Sequence, residues 1–131
     1  MASRGLADTS VFVAAESGRS LGALAEELSI ATVTLTELEL GVLAAAPADR
    51  PRRLRTLTAV RDALAALPLD ERVASRLAEL LAQLREGGRK PKLFDTIIAA
   101  TALQHDLPVY TQDADFDAIA AVSDSLHVER V

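Results

Sequence analysis

The sequence lacks cysteine and tryptophan, and it is poor in histidine and aromatic residues. The absence of cysteine excludes disulfides, thiolate catalysis and zinc sites built on sulfur. The two histidines, His105 and His127, are too few for a histidine-rich metal site, and we expect them to have structural or surface roles. With three phenylalanines and one tyrosine, stacking of nucleobases on an aromatic platform is not expected.

Long apolar runs are also missing, since none approaches the ~20 residues of a transmembrane helix. Asp8 interrupts the one segment that resembles a secretory signal, so we expect a cytoplasmic protein without membrane association. The 131 residues, 50% hydrophobic and 25% charged, suit one globular domain, 1–131. A net charge of -5 argues against nucleic-acid binding by bulk charge, so such a role would need local basic patches or a bound cation.

Short apolar segments alternate with helical patterns along the chain. Strands are predicted at residues 5–8, 29–33, 108–111 and 126–128. Helices are predicted at residues 11–16, 21–28, 34–46, 54–67, 73–86, 96–103 and 116–122. The helix at 34–46 is expected to start with a capping box of Thr34 and Glu37. The helices at 54–67 and 73–86 are expected to form a hairpin, packed on each other or on the sheet. The alternation predicts an α/β fold, with a parallel sheet of about four to five strands flanked by helices.

Four acidic residues stand at the ends of these segments. Asp8 ends the first strand, and Glu37 lies in the first turn of the helix after the second strand. Asp95 opens the buried helix at 96–103, and Asp113 follows the strand at 108–111. In an open parallel sheet, strand C-termini and the following helix N-termini share one edge, so these carboxylates are expected to converge. Like charges packed this closely cannot all stay ionised unless a cation joins them, and oxygen ligands suit Mg²⁺ or Mn²⁺.

Each of these acids also has a purely structural interpretation. Asp8, Asp95 and Asp113 can act as helix caps, and Glu37 can act as the return arm of its capping box. Their common location at one edge of the sheet strengthens the case for a metal site, while topology alone leaves both interpretations open. Glu39 competes with Glu37, but two residues on a helix are about 200° apart, so only one of them can face the cleft. Proximity to the strand end selects Glu37.

The acidic run at 113–117 superficially resembles a calcium-binding loop. Ala118 and Asp124 occupy the positions that require glycine and glutamate, which argues against an EF-hand. Asp115 and Asp117 are interpreted as neighbours of the metal ligands or as solvated residues in the first turn of a short helix.

Basic residues form two clusters, at 50–61 and 85–92. Each cluster is either a solvated helix face or a set of phosphate contacts beside the acidic cleft. A serine nucleophile is not indicated, because Ser10, next to Asp8, has no histidine or lysine base evident nearby.

Four segments resemble motifs of PIN-domain ribonucleases, specifically of the VapC-type toxins of bacterial toxin–antitoxin modules. These segments are Leu6–Ser10, Thr34–Gly41, Leu93–Ala102 and Val109–Phe116. The third is the most specific of the set. Together they span nearly the whole chain, in the order and spacing of the family.

The resemblance implies an α/β/α sandwich, RNA as the substrate and Mg²⁺ or Mn²⁺ as the cofactor. It also implies a homodimer and a VapB-type antitoxin, with a heterotetramer or larger assembly of the two. The acidic quartet it implies, both catalytic and metal-binding, is Asp8, Glu37, Asp95 and Asp113. A metal held by Asp8 and Asp95 would activate water, while Glu37 and Asp113 would position the metal or the water, or hold a second ion. The hydroxyls expected to orient the carboxylates belong to Thr9, Ser10 and Thr111.

Three rival interpretations fit less well. A phosphoacceptor signalling domain needs an acidic pair after the first strand and a late lysine, but Asp8 has no acidic neighbour and no lysine follows Lys92. A haloacid-dehalogenase-type phosphatase needs a second aspartate where Ser10 stands. A catalytically silent PIN-like module that binds RNA or protein would tolerate the loss of quartet members, and none is missing. The sequence therefore favours a metal-dependent endoribonuclease, with the RNA, the metal and the number of ions left open.

Overall fold

The computed structural model describes residues 2–131. Its five parallel strands form one sheet in the order β3-β2-β1-β4-β5. The strands are β1 (Arg4–Ala7), β2 (Glu27–Ala31), β3 (Ala65–Leu67), β4 (Val109–Thr111) and β5 (Val128–Arg130). The helices are α1 (Thr9–Glu16), α2 (Thr32–Ala44), α3 (Arg50–Ala63), α4 (Glu71–Glu86), α5 (Leu93–Gln104) and α6 (Asp115–Val122). The predicted parallel α/β architecture is confirmed. Among the helices of residues 2–131, none combines the length and apolarity needed to cross a membrane.

Both faces of the sheet are covered by helices. Successive residues of a strand point to opposite faces, and on β2 the buried neighbours Ile30 and Ala31 belong to two separate core clusters. The Ile30 cluster includes residues of α2 and α3. The Ala31 cluster includes α4, α5 and α6, with Phe116 fully buried. This double coverage explains why β1 and β2 end in consecutive buried residues and do not alternate between buried and exposed positions.

Strand pairing overrides local helical patterns near the second strand. The predicted helix at 21–28 is wrong, because Glu27 and Leu28 are in β2, paired with Arg4 and Gly5 of β1. The strand predicted at 29–33 therefore lies two residues earlier. The last strand, predicted at 126–128, lies two residues later at Val128–Arg130, and it forms an edge of the sheet as expected.

The helix predicted at 54–67 ends at Ala63, and residues 65–67 form the edge strand β3 instead. Residues 65–67 form a strand because they pair with Ser29–Ala31 of β2. Their helical spacing gives no sign of this pairing. This helix and the next were expected to pack on each other or on the sheet, and the second alternative is observed, because each shares a core cluster with residues of the sheet. Helix α3 packs on α2 and α4 packs on α5, since their apolar residues belong to different core clusters.

The capping box predicted for α2 is absent. The helix begins at Thr32, its N-cap is Ala31, and no side chain caps it. Thr34 lies inside the first turn, with its hydroxyl buried and without a hydrogen-bond partner. Because the helix starts two residues earlier than predicted, Glu37 lies in its second turn, where it has no capping role.

Candidate active site

The carboxyl ends of the two central strands, β1 and β4, bring the first part of the site together. Asp8 directly follows β1 and is the N-cap of α1, where its side chain accepts a hydrogen bond from the Ser10 amide. Thr111 is the last residue of β4, which pairs with β1. The adjacent parallel strands therefore place the Asp8 carboxylate against the Thr111 hydroxyl, as expected for an open parallel sheet.

One oxygen of the Asp8 carboxylate is held by three donors. Its Oδ2 accepts hydrogen bonds from Ser10 Oγ at 2.7 Å, Thr111 Oγ1 at 2.9 Å and the Ser10 amide at 3.3 Å. The Asp8 residue is only 2% exposed. The other oxygen, Oδ1, accepts no hydrogen bond from residues 2–131, and it is still in contact with solvent. Asp8 thus has one oriented oxygen and one that is free to bind a ligand.

Backbone amides of the loop after β4 set the direction of these hydroxyl groups. The amide of Gln112 donates to Ser10 Oγ, and the amide of Asp113 donates to Thr111 Oγ1, each at 2.9 Å. Each hydroxyl oxygen accepts a hydrogen bond from an amide and has a single proton of its own to donate. That proton is directed to Asp8. Sequence reasoning missed these two amides, because a backbone group leaves no residue signature.

Glu37 faces the site from α2. Its Oε1 accepts a hydrogen bond of 2.7 Å from Thr9 Oγ1, which joins α2 to the start of α1. Glu39 lies on the outside of the same helix, where its carboxylate is exposed and pairs with Arg61 at 3.8 Å. The structure thus separates the two glutamates that the apolar spacing could not distinguish.

The charges of the four predicted carboxylates act on one another. Burial raises the pKa of Asp95 to about 7, and neighbouring charges add to the effect, among them those of Asp8, Glu37 and Asp113. Burial also raises the pKa of Glu37, with contributions from Asp8 and Asp113 that the Thr9 hydrogen bond opposes. The pKa of Asp113 is raised by burial and by Asp8. Four distant segments of the chain therefore contribute to one electrostatic unit.

The two acids of α6 differ in their surroundings. Asp115 accepts a hydrogen bond of 2.8 Å from Lys92 Nζ, and its charge helps to raise the pKa of both Asp95 and Asp113. Asp117 is exposed and pairs with Arg130 at 3.5 Å. Asp115 is thus a neighbour of the quartet, whereas Asp117 is a solvated surface residue.

The quartet suits a divalent metal ion in its chemistry. All its donors are carboxylate oxygens, the ligands preferred by Mg²⁺ and Mn²⁺, and the mutual repulsion of the four would be relieved by a cation. Within residues 2–131, however, no three histidine or acidic side chains are already arranged as a metal-binding group. The structure therefore shows four carboxylates that are neighbours, and closure around an ion would require them to move closer together.

Comparisons with known proteins agree with this architecture. The family model for the PIN domain matches residues 6–122. Ribonuclease VapC5 of Mycobacterium tuberculosis is 45% identical over 130 residues, covering 97% of this chain and 95% of that protein. Ribonuclease VapC4 of the same organism is 38% identical over 122 residues, covering 91% of this chain and 93% of that protein. The crystal structure of VapBC-5, a toxin–antitoxin system of M. tuberculosis, contains a chain that superposes with a TM-score of 0.88 at 40% identity, covering 98% of this chain and 99% of that one.

Proposed function

The chain belongs to the PIN-domain family and, within it, to the VapC ribonucleases, and from this premise we propose that it is a toxin that cleaves RNA with a divalent metal ion. The proposed reaction is endonucleolytic hydrolysis of RNA phosphodiester bonds. The observation that carries it is the convergence of Asp8, Glu37, Asp95 and Asp113, from four distant segments, on one edge of the sheet. Burial and neighbouring charges raise the pKa values of Glu37, Asp95 and Asp113, which supports a site built for a cation.

Asp8 and Asp95 are the residues proposed to hold the metal, with Glu37 and Asp113 completing the site. A bound Mg²⁺ or Mn²⁺ supplies a Lewis acid for phosphate oxygens and lowers the pKa of water. Asp8 can offer its free Oδ1, because Ser10 and Thr111 fix the carboxylate through Oδ2. This arrangement limits the freedom that the ligand loses on metal binding.

Glu37 is proposed to orient the attacking water and to accept its proton. The Thr9 hydroxyl holds Oε1 at 2.7 Å, so Oε2 is the oxygen left to face the water. The raised pKa of Glu37 makes it a stronger base than an ordinary glutamate, which favours this role. Thr9 thereby positions the proton acceptor, just as Ser10 and Thr111 position the Asp8 carboxylate.

A VapB-type antitoxin is the proposed protein partner, since the superposed VapBC-5 structure is of a toxin–antitoxin system. A homodimer, its assembly with the antitoxin and a cytoplasmic location are further parts of this proposal. Apolar surface is available for partners on α2, where Leu40 is 56% and Leu43 71% exposed. Contiguous apolar surface of this kind is a feature of protein–protein contact sites.

The proposal is tested by incubating total cellular RNA with the purified chain and Mn²⁺ or Mg²⁺, with EDTA as the metal-free arm. The variants are Asp95→Asn in the quartet and Glu39→Gln as a matched control on the outside of α2. We expect cleavage by the wild type and by Glu39→Gln, and at least ~100-fold less by Asp95→Asn and in EDTA. Cleavage that survives both EDTA and Asp95→Asn would refute the mechanism. An inactive wild type would favour a binding module without nuclease activity.

A further inference from the structure

A cavity of about 190 Å³ adjoins the acidic site between α4, α5 and α6. Asp95 lines the cavity and also belongs to the site, so a ligand in the cavity would lie next to the reacting centre. Its walls are mainly apolar and include Leu84, Ala118 and Ile119. The volume is below the ~300–1,000 Å³ typical of sites for drug-sized molecules, so the cavity suits a single small ring.

Three cations line the same cavity, from the segment between α4 and α5. Lys92 is engaged, because its Nζ donates to Asp115 at 2.8 Å. Arg89 and Lys90 are exposed, and neither makes a salt bridge within residues 2–131. Two unneutralised positive charges thus lie beside a mainly apolar cavity, whose acidic lining residues are Asp95 and Asp115, the latter paired with Lys92.

The basic cluster of α3 contributes no residue to this cavity, and two of its five cations pair with carboxylates of the fold. Arg52 pairs with Glu16 at 3.5 Å and with Asp49 at 3.3 Å. Arg61 pairs with Glu39 on α2. Of the two basic clusters in the sequence, the one at 85–92 is therefore the one that lines the cavity together with Asp95.

We propose that this cavity binds one unpaired nucleotide of the RNA next to the scissile phosphate. The apolar walls would take the base, and Arg89 and Lys90 would contact phosphates on either side of it. A paired base cannot enter such a cavity without leaving its stack, so the nucleotide that the cavity takes is unpaired. The proposal rests on RNA cleavage as the proposed function, and it names the nucleotide subsite that the function requires.

The test measures RNA affinity and not only cleavage. A single-stranded RNA of ten nucleotides is titrated, by fluorescence anisotropy with Mg²⁺ present, into the full chain carrying Asp8→Asn to prevent cleavage. Three further changes are compared in that background: the double variant Arg89→Ala/Lys90→Ala, the control Arg55→Ala and the cavity-filling Ala118→Leu. Arg55 is exposed and makes no salt bridge within residues 2–131, which matches it to the other two cations. A second ligand, an abasic oligomer of the same length, separates base binding from phosphate binding.

For single strands, the logarithm of the affinity falls with the logarithm of the salt concentration with a slope of about 0.7 per phosphate contact. At 0.1 M salt, loss of one such contact should therefore lower the affinity about 5-fold. The double variant should therefore bind RNA about 25-fold more weakly than its parent. The slope of log affinity against log salt concentration should also be smaller by about 1.4. Arg55→Ala should change affinity less than 3-fold. Ala118→Leu should bind the abasic oligomer like its parent but lose the parent's preference for RNA that carries bases.

The proposal is overturned if the double variant binds RNA as well as Arg55→Ala does, or if Ala118→Leu keeps the preference for bases. It is also overturned if the parent binds no RNA but these variants weaken its complex with an acidic protein partner. Failure of the nuclease proposal gives a different pattern. In that case the wild type cleaves no RNA, while Arg89, Lys90 and Ala118 still determine how tightly RNA binds.

Discussion

Replacement of Asp95 by asparagine is expected to stabilise the metal-free fold at alkaline pH while it removes activity. The pKa of Asp95 rises from 3.8 to about 7 on folding, because of burial and then of neighbouring carboxylates. Between these two values the folded chain binds more protons than the unfolded chain, so the stability of the wild type falls as the pH rises. Asparagine has the shape of the neutral acid and never ionises, so the variant escapes this loss.

The size of the effect follows from the same two pKa values. At ~1.36 kcal/mol for each pH unit between them, the ionised Asp95 would cost the fold about 4 kcal/mol. The side chain is only half-buried, and solvent screening reduces this to about 2 kcal/mol. For a domain of this length about 3–4 °C in Tm corresponds to 1 kcal/mol. The Tm of the variant should therefore be about 6–8 °C above that of the wild type at pH 8. At pH 5 the difference should be less than half as large.

The assay is thermal unfolding of both proteins in EDTA at pH 5 and pH 8. Asp62→Asn is the control, since Asp62 is exposed and makes no salt bridge within residues 2–131, and it should change stability by less than about 0.5 kcal/mol. A lower Tm for Asp95→Asn at pH 8, or a gain of equal size at both pH values, would refute the reasoning. Either result would mean that the fold already compensates the charge of Asp95.

Three further predictions concern neighbours of this residue and the core. Thr111→Val removes the hydroxyl that donates to Asp8 and should lower the cleavage rate about 10–100-fold, with an unchanged circular dichroism spectrum; an unchanged rate would deny the hydroxyl a positioning role. Glu37→Gln should slow single-turnover cleavage at least ~100-fold because it removes the proton acceptor, whereas Glu39→Gln should leave it within 2-fold; equal effects would contradict the assignment of Glu37. Phe116→Ala should cost about 3–5 kcal/mol in urea unfolding because the ring is fully buried, and a cost below 1 kcal/mol would contradict this packing.

The sequence was sufficient to predict which acidic residues lie at the carboxyl ends of the strands, because this depends only on the parallel topology of the sheet. Once parallel strands are expected to end at Asp8 and before Asp113, the two residues must lie on the same side of the molecule. In the structure Thr111 links the two residues, because its hydroxyl donates to Asp8 and accepts from the Asp113 amide, and the charge of Asp8 helps to raise the pKa of Asp113. The roles of the quartet as metal ligands and catalysts, and the single-domain organisation of residues 1–131, stay predictions.

The errors concentrate where long-range pairing decides the local structure. Residues 65–67 continue the helical spacing of α3, and only the neighbouring strand β2 makes them a strand. Residues 27–28 read as the end of a helix until the register with β1 is known. Thr34 and Glu37 have the spacing of a capping box, yet Glu37 is drawn to Thr9, a partner 28 residues away in sequence. Such partners cannot be read from a local pattern.

The central claim, that the four carboxylates form one site for a divalent cation, is tested most directly by titrating Mn²⁺ into the chain in a calorimeter. We expect the wild type to bind Mn²⁺ at pH 7.5, and Asp95→Asn to bind at least 10-fold more weakly because it lacks an anionic ligand. Binding by the wild type should also weaken as the pH falls below about 7, where Asp95 retains its proton. Equal Mn²⁺ affinity of the two proteins, or no binding by the wild type, would contradict the account.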